Sequence, residues 1–299
     1  MGLLSRLRFV SRKRRRGGRW GERRSTRRGL GLEFADYRDY TPGDDPRRVD
    51  WNVYARLDRP YVRLYEEEEE LSVVLLLDGS ASMGAGIEVR EDSRALHPAG
   101  EEGARWPAAL KLGGALGAIT LLGGDLLTGA LLGERDLAAR WGSARGRGRL
   151  PRWLEWVSDL TPQGNTHLAA SLGAVAGRSL RPGLVLLLTD GYDPAGLAAG
   201  VTALAGRGHE VILLHLLTAE ELEPPLHGDL RLVDVETGEA RELALDRRAL
   251  SAYAARLAAW QAELRTLVGK HGGRYVLLRS DRPLRRMLLE DLRHAGLLR

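Results

Sequence analysis

The chain has 299 residues, of which 43% are hydrophobic and 28% are charged, and it contains no cysteine. This length is enough for one large α/β domain with an appended segment, or for two small domains, with a buried core. The absence of cysteine excludes a disulfide scaffold, a thiol nucleophile, and the cysteine-rich zinc and iron–sulfur sites.

Charge is distributed unevenly along the chain. Residues 6–28 contain 12 Lys or Arg residues and a single acidic residue, Glu22, so the rest of the chain holds 33 basic and 39 acidic residues. The composition of residues 1–28 cannot offset the entropy of ordering them, which predicts a disordered Arg-rich tail. Such a tail could bind polyanions, either nucleic acid or anionic lipid, or could simply be a solubilising leader.

The sequence shows no secretory signal, because no apolar stretch follows the short basic start. The apolar run 112–133 contains one charged residue, Asp125, and is divided at Gly123-Gly124, so its first part is too short to cross a bilayer. We therefore expect a protein without a transmembrane segment, located in the cytoplasm.

Residues 29–70 differ in character from the tail. Seven of the 17 aromatic residues of the chain fall between Phe34 and Tyr65, which predicts a packed segment. Residues 41–44 have the composition of a turn, and residues 61–65 alternate as in a strand. The five consecutive acids Glu66–Glu70 predict a solvated face, or an acidic patch that binds a partner or the basic tail.

From Leu71 onwards, short apolar runs alternate with longer helical patterns. The apolar runs are typical of strands buried on both faces of a parallel sheet. Strands are predicted near 71–77, 126–132, 137–141, 184–188, 211–217 and 275–278, and helices up to 122 and near 150–159, 166–180, 195–205, 247–268 and 283–294. Residues 88–103 form a loop insert, and a turn signal at 236–239 predicts a hairpin over 229–245. The predicted fold of residues 71–299 is α/β, a doubly wound, mostly parallel sheet flanked by helices.

Polar residues follow two of the predicted buried strands. The sequence Asp78-Gly79-Ser80-Ala81-Ser82 comes after the first, and Thr189-Asp190-Gly191 comes after the strand at 184–188. A third loop, 161–165, leads to Thr166 at the start of a predicted helix. Because the carboxyl ends of parallel strands meet at one edge of a sheet, we expect these groups to converge. The candidate ligands are Asp78, Ser80, Ser82, Thr166 and Asp190.

Carboxylate and hydroxyl oxygens are hard ligands, which favour Mg²⁺, with Mn²⁺ or Ca²⁺ as alternatives. Only two of the five groups are charged, so a bound cation would be incompletely neutralised and would attract an acidic group from another molecule. Taken singly, each fragment has an ordinary structural explanation. Ser80, Ser82 or Thr166 could cap a helix, and Asp190-Gly191 could be a turn.

These five residues resemble the complete metal-ion-dependent adhesion site of von Willebrand factor A (vWA) domains, where a partner carboxylate completes the cation shell. The upstream segment is similar to the signature of the bacterial domain-of-unknown-function 58 family. The matching residues are Glu33-Phe34, Arg38-Asp39-Tyr40, Pro42-Gly43-Asp44, Arg47, Trp51 and Ala55-Arg56. The resemblance covers about residues 29–299 and implies that the signature segment 29–70 packs on a vWA-like domain at 71–299.

Two features depart from that family. The insert at 88–103 follows the first metal loop and could gate the site, and the Arg-rich tail stands where many relatives carry transmembrane helices. Within the signature segment, we expect Asp44 and Arg47 to be structural, holding an aromatic-rich cap in place.

The resemblance implies a non-enzymatic, metal-dependent protein-interaction module, an adaptor or co-chaperone that works with a MoxR-type AAA+ ATPase. Two alternatives remain: a Mg²⁺-dependent hydrolase that uses the same carboxylates, and a polyanion-binding scaffold that uses the tail. The chain lacks a P-loop and a Gly-x-Ser-x-Gly elbow, and Ser80 stands where a haloacid-dehalogenase-like phosphatase would need an Asp. We expect His167 and His215 to be structural.

Overall fold

The computed structural model describes residues 2–11, 32–67, 70–84, 88–89, 96–97, 104–162, 164, 166–224, 228–233 and 240–299. The chain divides into two compact units, a smaller one of residues 19–70 and a larger one of residues 1–18 and 71–299. The basic residues 12–28 and the turn at 236–239 lie outside the described residues. Within the described part of the chain, no helix is both long enough and apolar enough to span a membrane.

The smaller unit is built on an antiparallel pair of strands, β1 (Leu32–Asp39) and β2 (Tyr61–Glu67), with helix α1 (Trp51–Leu57) between them in sequence. Asp50 starts the helix, because its Oδ1 accepts hydrogen bonds from the amides of Asn52 (3.0 Å) and Val53 (3.3 Å). The hydroxyl of Tyr37 in β1 donates to the other carboxylate oxygen of Asp50 over 2.8 Å, which ties the helix start to the strand pair.

Asp44 and Arg47 have different surroundings within this unit. The carboxylate of Asp44 binds Arg38 (Nη2–Oδ1 2.7 Å) and accepts from both the amide and the hydroxyl of Thr41. The hydrogen bond from Arg38 is the main reason that the pKa of Asp44 is lowered to about 2. The side chain of Arg47 is exposed. Asp44 therefore stabilises its turn through Arg38 of β1.

The larger unit contains the following strands in chain order: β3 (Ser72–Asp78), β4 (Glu88–Val89), β5 (Leu96–His97), β6 (Leu126–Leu132), β7 (Leu137–Ala144), β8 (Leu184–Thr189), β9 (Glu210–Leu217), β10 (Gly228–Val233), β11 (Ala240–Leu245) and β12 (Arg274–Arg279). Its helices are α2 (Ala81–Gly84), α3 (Arg105–Leu122), α4 (Leu150–Ser158), α5 (Leu168–Ala176), α6 (Pro194–Gly206), α7 (Ala219–Leu222), α8 (Arg247–Lys270) and α9 (Leu284–Arg286). The last of these continues through a π-helical turn (Met287–Asp291) into α10 (Leu292–His294).

The main sheet has six strands in the order β12-β9-β8-β3-β6-β7. All neighbours are parallel except β6 and β7, which form an antiparallel pair. From β3 the chain adds β6 and β7 on one side and then β8, β9 and β12 on the other. The strand order therefore reverses between β3 and β8, which is where open α/β sheets bind ligands.

Helices cover both faces of this sheet, as the wholly apolar strand sequences predict. Val73, Leu75 and Leu77 of β3 belong to a core cluster with α3, α4 and the C-terminal helical segment. Val74 and Leu76 of the same strand belong to the opposite cluster, with α5, α6 and α8. The predicted α/β architecture, with a mostly parallel sheet flanked by helices, is confirmed.

Within the described part of the larger unit, two smaller strand pairs lie outside the main sheet. Strands β10 and β11 pair antiparallel over the segment for which the sequence predicts a hairpin. Within the predicted insert at 88–103, the described residues are those of β4 and β5, which also pair antiparallel.

The expectation of disorder over residues 1–28 is wrong for residues 2–11. Leu4–Arg6 form a 3-10 turn, and Leu7 and Phe9 are buried in the first core cluster. Phe9 forms an antiparallel bridge with Leu298, and the amide of Val10 donates to the carbonyl of Leu297 over 2.9 Å. The apolar residues of this short segment offset the cost of ordering it because the C-terminal residues supply a complementary strand edge.

Candidate metal site

The two aspartates of the predicted site lie at the reversal of strand order. Asp78 is the last residue of β3, and Asp190 directly follows β8, its neighbour in the sheet. Both side chains are buried: Asp78 is 2% exposed and Asp190 is 1% exposed. Because burying a carboxylate is costly unless it is paired, two at one sheet edge indicate a site for a cationic group.

The first loop brings Asp78, Ser80 and Ser82 together. The amide of Ser80 donates to Asp78 Oδ1 (3.0 Å), and the hydroxyls of Ser80 and Ser82 are 2.9 Å apart. Both serine side chains are buried. Gly79 allows this tight turn after the strand, because a Cβ atom there would lie 2.5 Å from the carbonyl oxygen of Leu132 in β6.

The second loop lies against the first. The amide of Ala81, the first residue of α2, donates to the carbonyl of Gly164 over 2.7 Å. The helix predicted at 166–180 is shorter and spans Leu168–Ala176, with His167 at its N-cap, and the Leu168 amide donates to the carboxylate of Asp193 (3.3 Å). Thr166 therefore precedes the helix rather than capping it.

Two oxygen atoms of the predicted ligand set have no hydrogen-bond partner among the described residues. They are Oγ1 of Thr166 and Oδ2 of Asp190, and both atoms are buried. Buried polar atoms in proteins are nearly always hydrogen-bonded, so these two oxygens could accept a further group. A cation bound by oxygen ligands would satisfy them.

The electrostatics of Asp190 agree with this interpretation. Burial raises its pKa to about 6 and the nearby charge of Asp78 adds to this effect, whereas the positive charge of Arg105 and hydrogen bonds from Ser82 and the Tyr192 amide oppose it. Among the described residues, no group of three or more His, Cys, Asp or Glu could hold a metal. A cation at this edge would therefore depend on two carboxylates and on the hydroxyls of Ser80, Ser82 and Thr166, a donor set that fits Mg²⁺.

Thr189 belongs to the same cluster, and the sequence analysis did not identify it. Its hydroxyl donates to Asp78 Oδ2 (2.6 Å) and accepts from the amide of Gly191 (3.0 Å). Thr189 therefore orients Asp78 from the neighbouring strand. The available signal was a polar residue that ends a wholly apolar strand directly before Asp190.

Arg105 is a second residue that the sequence analysis missed. It starts α3, is 3% exposed, and forms an ion pair through Nη1 with Glu221. The same Nη1 lies 3.9 Å from Asp190 Oδ2, and Nη2 donates to the carbonyl of Ser82 (2.5 Å). A buried guanidinium thus lies directly beside the candidate ligands.

Glu221 is held by several groups. It forms a capping box with Thr218 at the start of α7, and it accepts a hydrogen bond from the hydroxyl of Tyr192 (2.6 Å). The ring of Tyr192, which is 54% exposed, stacks on Trp260 of α8 with 5.6 Å between ring centroids. The loop after Asp190 is therefore fixed against α7 and α8.

The two histidines near the site have different surroundings. His215 in β9 is buried, with Nε2 2.7 Å from the carbonyl oxygen of Asp190 and Nδ1 2.8 Å from the hydroxyl of Tyr275. Burial is the main reason that its pKa is lowered to about 4. Both ring nitrogens are therefore engaged within the fold. His167 is exposed and precedes α5.

Comparisons with known proteins identify relatives of the chain. The family model described as "Protein of unknown function DUF58" matches residues 36–263. The chain is 31% identical over 259 residues to the uncharacterized proteins Mb1516 of Mycobacterium bovis and Rv1480 of Mycobacterium tuberculosis, covering 85% of this chain and 76% of each relative.

Among solved structures, the chain is similar to the conserved hypothetical protein BatB from Bacteroides thetaiotaomicron, with a TM-score of 0.44 and 14% identity over 76% of this chain and 98% of that one. It is also similar to an aerotolerance-related membrane protein from Bacteroides fragilis, with a TM-score of 0.42 and 15% identity over 75% and 99% of the two chains.

Proposed function

This chain belongs to the DUF58 family, which has no established function, and from its own residues we propose that it is a non-enzymatic protein-interaction module that depends on a divalent cation. Asp78, Ser80, Ser82, Thr166 and Asp190 would hold Mg²⁺, with Mn²⁺ or Ca²⁺ as alternatives. An Asp or Glu of a protein partner would complete the shell of the cation.

The observation that carries the proposal is that two buried oxygens, Thr166 Oγ1 and Asp190 Oδ2, have no hydrogen-bond partner among the described residues. They belong to two different loops that lie beside the Asp78 loop at the reversal of strand order. A cluster with a purely structural role would satisfy these atoms internally, because an unsatisfied buried polar group costs about 1–3 kcal/mol.

The protein's own residues have binding roles in this proposal. The two aspartates supply charge, the three hydroxyls supply neutral oxygens, and Thr189 orients Asp78. When bound, the cation supplies a positive charge that attracts a carboxylate. No bond-breaking step is required of the chain.

The resemblance to the DUF58 family suggests the class of partner. We propose that the module works in the cytoplasm as an adaptor or co-chaperone of a MoxR-type AAA+ ATPase. The purified chain and such an ATPase from the same organism should associate in Mg²⁺ and separate when EDTA is added. Association that is equally strong in EDTA would contradict the proposal.

The first test of the site is calorimetric titration of Mg²⁺ into the wild type and into Asp78→Ala. We expect binding by the wild type and loss of binding by the variant, with both proteins folded by circular dichroism. A folded Asp78→Ala variant that binds Mg²⁺ as the wild type does would contradict the proposal.

Thr166→Val tests the site with less disturbance, because it replaces a hydroxyl with a methyl group of similar size. The Thr166 hydroxyl has no partner among the described residues, so we expect unchanged or higher thermal stability. We expect weaker Mg²⁺ binding in the same variant. Thr202→Val is the matched control, because its hydroxyl binds the carbonyl of Ala198 and His271 Nε2, and it should leave Mg²⁺ binding unchanged.

A further inference from the structure

Arg105 brings a permanent positive charge into the candidate site. Its guanidinium is buried between Glu221, with which it forms an ion pair, and Asp190, whose Oδ2 lies 3.9 Å from Arg105 Nη1. Asp190 Oδ2 is also one of the two oxygens of the site that accept no hydrogen bond from the described residues. The oxygen that would bind a metal therefore already faces a cation that is too far away to hydrogen-bond to it.

The surrounding structure holds this charge in place. Arg105 Nη2 donates to the carbonyl of Ser82 (2.5 Å), and the guanidinium carbon lies 5.5 Å from the ring centroid of Tyr192. Glu221, its principal counter-ion, is itself bound by the hydroxyl of Tyr192 and the amide of Thr218. Arg105 therefore cannot withdraw from Asp190 without breaking several contacts.

A divalent cation bound by Asp190 would lie close to this guanidinium. Repulsion between two cations is weakly screened in a buried site, so Arg105 opposes metal binding. Glu221 acts in the opposite sense, because it neutralises much of the Arg105 charge. Together with Asp78 and Asp190, these two residues set the electrostatic potential at the site.

We infer that Arg105 sets the cation affinity of this site, and that it keeps Mg²⁺ binding weak until a partner carboxylate adds a further negative charge. The inference rests on the proposed function. It makes cation and partner binding mutually dependent, because each supplies the charge that favours the other.

Two conservative variants test the inference with opposite expected results. In Arg105→Gln the repulsion is removed, and we expect the Mg²⁺ dissociation constant from calorimetry to fall by at least about tenfold. In Glu221→Gln the negative charge of Glu221 beside Arg105 is removed, and we expect the constant to rise by at least about tenfold. Gln at 221 can retain the hydrogen bonds of the capping box.

The matched control is a second buried ion pair in the same unit. Arg274 Nη2 binds Glu210 Oε1 over 2.9 Å at the amino ends of β12 and β9, the opposite edge of the sheet from the site. Arg274→Gln should lower thermal stability and leave the Mg²⁺ dissociation constant unchanged. If Arg105→Gln does not fold, Arg105→Lys keeps the positive charge, and its Mg²⁺ dissociation constant should stay within about threefold of that of the wild type. Glu221→Gln then decides the question.

The outcomes separate this inference from the proposed function. Equal dissociation constants for the wild type, Arg105→Gln and Glu221→Gln would overturn the inference and leave the metal site standing. Tighter Mg²⁺ binding by Arg105→Gln than by the wild type and Glu221→Gln would support both the inference and the proposed function. No Mg²⁺ binding by any of these folded proteins would overturn the proposed function and the inference together.

Discussion

Among single residues, Asp190 and His215 are buried together at the carboxyl edge of the sheet and respond to pH in opposite ways. The pKa of Asp190 is raised to about 6 from 3.8, and that of His215 is lowered to about 4 from 6.5. As the pH falls from 6 to 4, the native protein takes up a proton on Asp190 that the unfolded chain lacks, which favours the native state. Over the same range the unfolded chain protonates His215 while the native protein does not, which favours unfolding.

The substitution His215→Gln should isolate the contribution of His215 to the pH dependence of stability. Gln can still donate a hydrogen bond to the carbonyl of Asp190, but it does not titrate. We expect the free energy of unfolding of the wild type, relative to the variant, to decrease by about 1 kcal/mol per pH unit as the pH falls from 6 to 4. Urea unfolding of both proteins across this range measures the difference. Parallel stability curves would show that His215 titrates alike in the native and unfolded states.

Among the secondary-structure elements, α3 and α4 are in contact through a fully buried tryptophan. Trp153 of α4 packs against Gly117 of α3 and Gly129 of β6, and its Nε1 donates to the carbonyl of Gly114 (3.2 Å). A Cβ atom at Gly117 would lie 2.1 Å from the Trp153 ring. Glycine in the middle of α3 is therefore required by close packing, although it lowers helix propensity.

Gly117→Ala should displace Trp153 and destabilise the protein by about 2 kcal/mol, as overpacking of a filled core does. The measurement is the midpoint of urea unfolding, together with Trp fluorescence. Gly173→Ala in α5 is the matched control, because a Cβ atom there meets nothing within 4 Å. It should leave stability unchanged or raise it by about 0.5–1 kcal/mol. Equal effects of the two substitutions would contradict this explanation.

In the larger unit as a whole, the N-terminal residues are bound to the C-terminal ones. Arg274 connects them, because its Nη1 donates to the carbonyl of Gly296 (2.5 Å) and its Nη2 donates to that of Val10 (2.6 Å). The hydroxyl of Ser11 donates to Glu210, the ion-pair partner of Arg274 (2.7 Å). The segment that leads into the Arg-rich residues therefore begins at the amino ends of β9 and β12, at the sheet edge opposite to the candidate metal site.

Phe9→Ala should lower the free energy of unfolding by about 3 kcal/mol, because it leaves a cavity in the first core cluster. Leu3→Ala is the control, since Leu3 is exposed and should change stability by less than about 0.5 kcal/mol. Chemical unfolding of the two variants measures both effects. A Phe9→Ala variant as stable as Leu3→Ala would show that this segment contributes little to the core.

The packing of Leu7 and Phe9 limits which variants can test whether the Arg-rich tail binds polyanions. Deleting residues 1–28 would remove Leu7 and Phe9 from the core, and loss of binding could then follow from loss of folding. Substituting the ten Lys and Arg residues within 12–28 by Ser instead retains Leu7 and Phe9. If the substituted chain binds nucleic acid as the wild type does, the tail is not responsible.

The sequence by itself determined the elements of the larger unit and most of the candidate ligands. The apolar runs of β3, β8 and β9 and the helical patterns between them are local signals, so strands and helices could be predicted within a few residues. Asp78, Ser80, Ser82 and Asp190 could be predicted as neighbours because parallel strands end at a common edge. That reasoning needs no knowledge of which distant side chains meet.

Only the tertiary structure decided which residues complete the site. The hydroxyl of Thr189 binds Asp78 from 111 positions away, and Arg105 binds Glu221 across 116 positions. Phe9 and Leu298 pair from near the two ends of the chain. Such contacts leave no periodic signal in the sequence, because they depend on strand order and helix packing. For that reason the residues of the candidate site could be predicted from the sequence, whereas the guanidinium of Arg105 beside them could not.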